Sequence, residues 1–371
     1  MLSGACLSSA LRRAEHASLE TLDGWRSAAL SRLGRLAFVA ELRRARPLRL
    51  QLLACLAVLV AFVGAVRFTP LLLALSPVLV GVPHLVSDVR YLLLPSLRES
   101  GGTTRSGARA VLGLYAAAAL LGLCGAAGLA LGAACLAVAC TALRVVPGMA
   151  ARLVLAAAGA GILLLALAHT QLVSLLLAQG HNFVALGIGA WFLRGKLRGA
   201  GAPALLLLAA VLTIALGGCD GWLARPELGG WGGSVLREVT RVAAPAGASP
   251  VVVQRCVALF GFAQAVHYST WLSLVPDAAR SSERPVSFRR SFQLLCTDLG
   301  PLGARLAIAA SLALPLAACL SLGAARRSYV GLAIFHGFLE LGWLATRLLS
   351  RQSVPSSAAT LARAPGLRVP A

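Results

Sequence analysis

Charge is what this sequence has least of. Asp, Glu, Lys and Arg together make up 13% of its residues, about half the share carried by a typical soluble domain. That is too little to solvate a globular surface in water. Acid is the scarcer sign, with 13 Asp and Glu, and Lys196 is the one lysine. No CxxC pair occurs among the nine cysteines, and most of them fall inside apolar runs. A zinc ribbon or a disulfide framework is therefore not expected. Residues 1–48 carry charge throughout and lack an early apolar core, so no secretory signal is expected there. The formal net charge of +21 raises nucleic acid as a partner. However, no RNA- or DNA-binding motif is present, and the basic residues sit almost wholly in connections between apolar runs. No nucleic-acid partner is expected.

What the chain does have is apolar length. Hydrophobic residues make up 58%, and mean hydropathy is +0.81. The apolar runs approach the ~20 residues needed to cross a ~30 Å hydrocarbon core. The fold class implied is all-α, a polytopic transmembrane helix bundle of about ten spans. The spans fall at 50–66, 69–88, 110–126, 127–143, 153–169, 171–193, 203–219, 250–275, 306–322 and 328–347. A tight hairpin at 126–127 and a break near His169 are the places where a re-entrant segment would hide. With the N-terminus inside, 27 of the 34 basic residues fall on the inner side. That bias puts both termini in the cytoplasm.

Three regions follow. Residues 1–48 read as a basic cytosolic segment, part of it an amphipathic or solvated helix. Residues 49–349 form the bundle, and 350–371 read as a disordered tail. Two connections are long. An outer one, 220–249, offers Trp222 and Trp231 for an amphipathic lid, and an inner one, 276–305, carries SFRRSFQLL as a surface helix.

Ionisable groups within a membrane are costly and default to a functional reading. Of six histidines, His84, His169, His181, His267 and His336 fall in spans, and His16 lies outside. His84, His181, His267 and His336 sit on four helices running in the same direction. Their depths differ by roughly 14 Å at 1.5 Å per residue, close enough to converge. Neutral imidazole is a common ligand of iron, copper and zinc, so these four are the candidate metal ligands. Asp88 lies four residues after His84, and Glu340 four after His336, each on its histidine's face. Either carboxylate is placed to orient a ring from the second shell. Asp88 has Arg90 as an alternative partner, and Glu340 is itself a possible ligand. Asn182, Gln264 and Tyr268 add polar groups nearby, with Tyr268 a candidate catalytic contact.

The segment GVPHLVSD, 81–88, resembles the G-x-P-H-x-x-x-D element of the Brp/Blh family. That family comprises bacterial and archaeal membrane-embedded β-carotene 15,15′-dioxygenases, multi-span proteins that hold a non-haem iron with histidines. The resemblance implies that His84 is an iron ligand and Asp88 its supporting carboxylate. FAQAVHYSTW, 262–271, is similar to the family's later His-bearing helix, which implies a second ligand in His267. Where the family usually repeats His four residues on, this chain has Trp271.

The leading expectation is an iron-dependent oxygenase of a bacterial inner membrane. It would take a lipophilic polyene or isoprenoid, such as a carotenoid, from the bilayer, with Fe2+ as cofactor. A small-residue face, ALGIGAW at 185–191, would leave room for it. Two alternatives stay open. One is a haem- or quinone-linked redox protein, since His on neighbouring helices ligates haem axially. The other is a non-enzymatic transporter or scaffold, although no internal repeat of the transporter kind is visible.

Overall fold

A computed structural model describes residues 4–95, 105–145, 175–223, 231–280 and 285–352, with isolated positions between 153 and 168. His169 and the tail beyond 352 lie outside the described residues, as does most of the span expected at 153–169. No strand occurs among the described residues, and the helical fold class holds. Four helices are long and apolar enough to cross a membrane: Arg46–Arg67, Thr69–Leu93, Pro250–Ala279 and Phe288–Leu320. Shorter apolar helices lie at Ala110–Leu123, Gly128–Thr141, His181–Leu193 and Gly201–Ala215. The chain divides into two compact units.

The first unit comprises residues 1–94 and 174–330. It opens with α1 (Gly4–Leu33), α2 (Ala37–Arg44), α3 (Arg46–Arg67) and α4 (Thr69–Asp88). Proline stands in the first turn of both α3 and α4, where its missing N–H costs no helical bond. A π-helical turn, Val89–Leu93, prolongs α4. The second unit comprises residues 95–173 and 331–371 and begins with α5 (Arg105–Leu123) and α6 (Ala127–Val145). The chain returns to the first unit at a π turn, Leu176–Gly180, that runs into α7 (His181–Leu193). Then come α8 (Gly201–Ala215), α9 (Trp231–Ala243), α10 (Pro250–Ser269), the π turn Thr270–Leu274, and α11 (Val275–Ala279). After α12 (Phe288–Leu320), α13 (Leu322–Ala333) leads to α14 (His336–Gln352) in the second unit.

Helices of the first unit pack through small and branched residues. Val58, Ala61 and Ala65 of α3 meet Ile214 of α8 and Phe262 of α10. On α9, Val235, Val239 and Ala243 recur every four residues. They pack on Leu73 and Ala74 of α4 and Val257 of α10. This amphipathic helix falls in the connection read as a lid, and nearby Trp222 stays largely exposed. Together with α4 and α10, α9 encloses a cavity of about 260 Å3 whose wall includes Thr69, Pro70, Leu236 and Val257.

Polar groups cluster at helix ends. Ser249 caps α10 by accepting from the Val252 amide. Ser287 caps α12 through Arg290, and Asp23 accepts from the amides of Phe288 and Arg289 at 2.6 and 3.1 Å. Asp277, buried after α10, takes a bidentate pair from Arg49 at 2.8 and 3.1 Å, and a third bond from Arg280.

The connection read as an inner loop, 276–305, is helical from Phe288 onward. Its expected surface helix runs on into the next span, bent where Gly300 takes φ 77°. Beyond the bend, Leu302, Leu306, Leu312 and Leu316 are 60–70% exposed. Water solvates so large an apolar face poorly, and lipid solvates it well.

In the second unit, α5 and α6 form the tight hairpin expected at 126–127, with Gly125 at φ 79°. Gly122 and Gly331 bring two backbones together, and a Cβ on either would lie closer than 2.5 Å to the other's carbonyl oxygen. The span expected at 328–347 is not continuous, because α13 ends at Ala333 and α14 begins at His336. The Nδ1–H of His336 donates to the Ala333 carbonyl, which the amide of residue 337 would otherwise take in an unbroken helix.

Candidate metal centre

His84 lies one turn before the end of α4, and its side chain is wholly buried. His267 lies near the end of α10 and is equally buried. Their rings meet edge to face with centroids 4.5 Å apart. Each ring offers one nitrogen, and these two nitrogens are no farther than 4.8 Å apart. His181, the first residue of α7, brings its ring to 5.7 Å from that of His267. Imidazoles from three helices thus lie in sequence, His84 against His267 and His267 beside His181, within the first unit.

Two polar neighbours settle how these rings are held. Nδ1 of His267 lies 3.0 Å from Oδ1 of Asn182. A carboxamide oxygen only accepts, so Nδ1 carries the proton and donates, and Nε2 presents its lone pair. Asp88 stands one turn after His84 with Oδ2 3.2 Å from Nε2, both side chains fully buried. The carboxylate faces His84, and Arg90 pairs instead with Asp298 at 2.7 Å. Of the two partners open to Asp88 in the sequence, the structure selects the histidine.

Local backbone geometry concentrates here. Among the described residues there are three π-helical turns, and each adjoins the cluster. One follows Asp88 directly, one ends immediately before His181, and one begins three residues after His267. A π turn adds a residue to a helix and reorients the side chains beside it, and such turns recur at functional sites. Side chains hold two of these turns in place. Ser87 donates to the carbonyl of Trp271 at 2.6 Å, which ties α4 to the turn after α10. Gln179, within the turn before α7, donates to the carbonyls of Ala243 and Cys256, both at 2.9 Å.

Tyr268 packs its ring 5.0 Å from that of His84. Its hydroxyl lies 2.9 Å from that of Tyr329 and accepts from Gln264 Nε2 at 2.9 Å. Gly81, one turn before His84, makes room for this pair. A Cβ at position 81 would lie 2.2 Å from a Tyr329 ring carbon. Trp271, where the resembled family repeats histidine, is fully buried with its ring 6.5 Å from His84.

The structure therefore brings together His84, His181, His267, Asp88, Asn182 and Tyr268 within the first unit. His336 and Glu340 belong to the second unit. There His336 is half-buried and Glu340 fully buried. Sequence reasoning missed Tyr329, which lies 61 residues from its hydroxyl partner. It also missed Ser87. The sequence signal for Tyr329 was Gly81, a side-chain-free position one turn from a buried histidine. On the small face at 185–191, nothing lies within 4 Å of where a Cβ on Gly187 would stand, and Gly189 is used differently. Gly189 is filled by Thr270, whose Cγ2 would lie 2.4 Å from an added Cβ, so it serves close helix packing.

The donor set suits a first-row transition metal. Imidazoles bind as neutral ligands, and Asn182 and Asp88 stand as outer partners to the rings of His267 and His84. Two bonds of ~2 Å to one ion place their nitrogens up to ~4 Å apart, and the His84 and His267 nitrogens lie within 4.8 Å of each other. No protein-family model matches the chain, and neither the curated proteins nor the solved structures yield a match.

Proposed function

We propose that the three-histidine cluster holds a redox-active metal, iron by the family resemblance, and that the chain is a membrane oxygenase for a lipophilic polyene or isoprenoid. The observation that carries this reading is the Asn182–His267 contact, which leaves the lone pair on Nε2 of a ring packed edge to face against His84. The bound metal would supply open coordination positions for dioxygen in a water-poor site.

The chain's own residues would do the rest. His84, His181 and His267 would hold the ion, with Asn182 and Asp88 orienting two of the rings. Tyr268, its hydroxyl kept in place by Tyr329 and Gln264, would present a polar contact beside the reacting centre. The apolar helices would admit a substrate from the bilayer, and Trp271 would wall the site with an aromatic face.

Haem fits this geometry less well. Two axial imidazoles stand on opposite faces of a porphyrin, with ring centroids roughly 6 Å apart. The His84 and His267 rings touch edge to face at 4.5 Å, which leaves no gap for a macrocycle between those two; for His181 and His267, 5.7 Å apart, the optical spectrum decides.

The test is elemental analysis of detergent-purified protein with an optical spectrum, alongside His84→Ala and His267→Ala. The reading expects near one equivalent of metal, lost in both variants, and no Soret band. Traces far below one equivalent of iron, copper and zinc would end it.

A further inference from the structure

The junction of α1 and α2 encloses a cavity of about 340 Å3, lined by Arg26, Gly34, Ala40, Arg43, Arg44 and Pro285. Three arginines line it, and no acid is among its described lining residues. Arg26 is fixed in place, because it donates to the Pro285 carbonyl at 3.2 Å and lies 3.7 Å from Asp23. Asp23 already accepts from two amides at the start of α12, so it neutralises Arg26 only in part. Arg43 lies against the bend between the helices, with Nη1 3.4 Å from where a Cβ on Gly34 would stand. Arg43 and Arg44 close the last turn of α2, and they form no ion pair among the described residues. Three arginines around one cavity, with Asp23 the acid described beside them, favour an anionic ligand.

The surroundings narrow the ligand. One residue separates α2 from α3, which is apolar enough to cross a membrane. The cavity therefore lies within a turn or two of the boundary between membrane and water. Leu33, Leu36 and Phe38, close in sequence to the lining residues Gly34 and Ala40, are 51, 59 and 60% exposed. A soluble anion has no use for that apolar margin. A molecule with an anionic head and apolar chains uses both parts. Guanidinium groups bind phosphate oxygens in bidentate fashion, and basic pockets beside spans suit lipid headgroups.

We infer that this cavity binds the phosphate of an anionic phospholipid, held by Arg26, Arg43 and Arg44 with its acyl chains along Leu33, Leu36 and Phe38. The site is independent of the histidine cluster.

The experiment titrates delipidated full-length protein in neutral detergent with phosphatidylglycerol, phosphatidylcholine or inorganic phosphate, counting bound molecules by native mass spectrometry. Phosphatidylglycerol should saturate a site that phosphatidylcholine does not fill. The double variant R43Q/R44Q should bind it roughly 30-fold more weakly, while Arg194→Gln, outside the cavity, binds as the parent does. Circular dichroism checks that each variant keeps its helices. Should R43Q/R44Q lose helicity, the parent protein still decides, because raising salt from 50 to 500 mM must weaken an electrostatic site. Equal binding of both lipids, parent-like binding by a folded double variant, or indifference to salt would each overturn the proposal. If inorganic phosphate displaces phosphatidylglycerol at equal concentration, the ligand is a soluble phosphate and the lipid assignment fails.

Discussion

Nδ1 of His267 on α10 points at the carboxamide oxygen of Asn182 on α7, 3.0 Å away, in a site with no access to water for either side chain. The contact joins residues 85 positions apart and sets which nitrogen of the ring carries the proton. Asn182→Leu removes the acceptor while keeping the volume. Metal affinity should fall 10- to 100-fold, the usual cost of losing such an outer partner. Competition with a metal chelator measures it, and an unchanged affinity would show that Asn182 does not tune the ring.

His84→Ala and His267→Ala should separate binding from folding. Each variant should lose its metal yet retain helical circular dichroism, because α4 and α10 are also held by apolar contacts. If a variant stays folded and keeps a full equivalent of metal, the deleted histidine is not a ligand. For Glu340 the case is the sequence's own, its spacing of four from His336. A loss of metal in Glu340→Gln would add that carboxylate to the candidates.

Gly189→Ala should destabilise the first unit by about 1–3 kcal/mol, the usual range for overpacking a filled core. The added methyl would meet Cγ2 of Thr270, and a β-branched side chain has little rotamer freedom to retreat. Adding Thr270→Ser removes that methyl and should restore most of the loss. Thermal unfolding in detergent reads both, and a double variant no better than the single would point to a different clash.

Gly81→Ala should push Tyr329 away from Tyr268 and weaken their hydroxyl contact. Tyr329→Phe removes the contact without crowding, at about 1 kcal/mol. If the pair positions Tyr268 for chemistry, both variants should lower turnover while leaving metal content intact. A parent-like rate in Tyr329→Phe would reduce the pair to packing.

Asp220 lies before the α10 span and bonds Arg255, with Nε to Oδ1 at 2.9 Å. That guanidinium holds the Asp220 carboxyl below its ordinary 3.8. A carboxyl whose folded value is depressed contributes stability above its unfolded value, and loses it as pH falls through the folded one. The parent should therefore lose thermal stability below about pH 4 more steeply than Asp220→Asn. Parallel curves for the two proteins between pH 5 and 3 would count against the pairing.

Much of this was readable in one dimension because local rules govern it. Helices follow from long apolar runs, and the turn at Gly125 from a glycine between two of them. The i,i+4 spacing of His84 and Asp88 needs only helical geometry, and the structure places them face to face. The discontinuity near Phe335 was not readable, since a side chain at His336 competes for a carbonyl that periodicity assigns to the backbone. Nor was the use of Gly189, which depends on Thr270 facing it from another helix. The π turns escaped as well, because an inserted residue leaves hydropathy unchanged and shows only in hydrogen-bond register.

What the sequence determined by itself is the medium and the chemical vocabulary. Scarce charge and long apolar runs demand helices in lipid, because every buried backbone amide must be satisfied within its own segment. Histidines in such runs are expensive enough to need a purpose. The tertiary structure alone decided which of them meet, that Asn182 orients His267, and that Tyr329 reaches Tyr268. Those facts depend on how helices distant in the chain rotate and cross, which is set by the packing of small residues such as Gly81 and Gly189 against partners that lie far away along the chain.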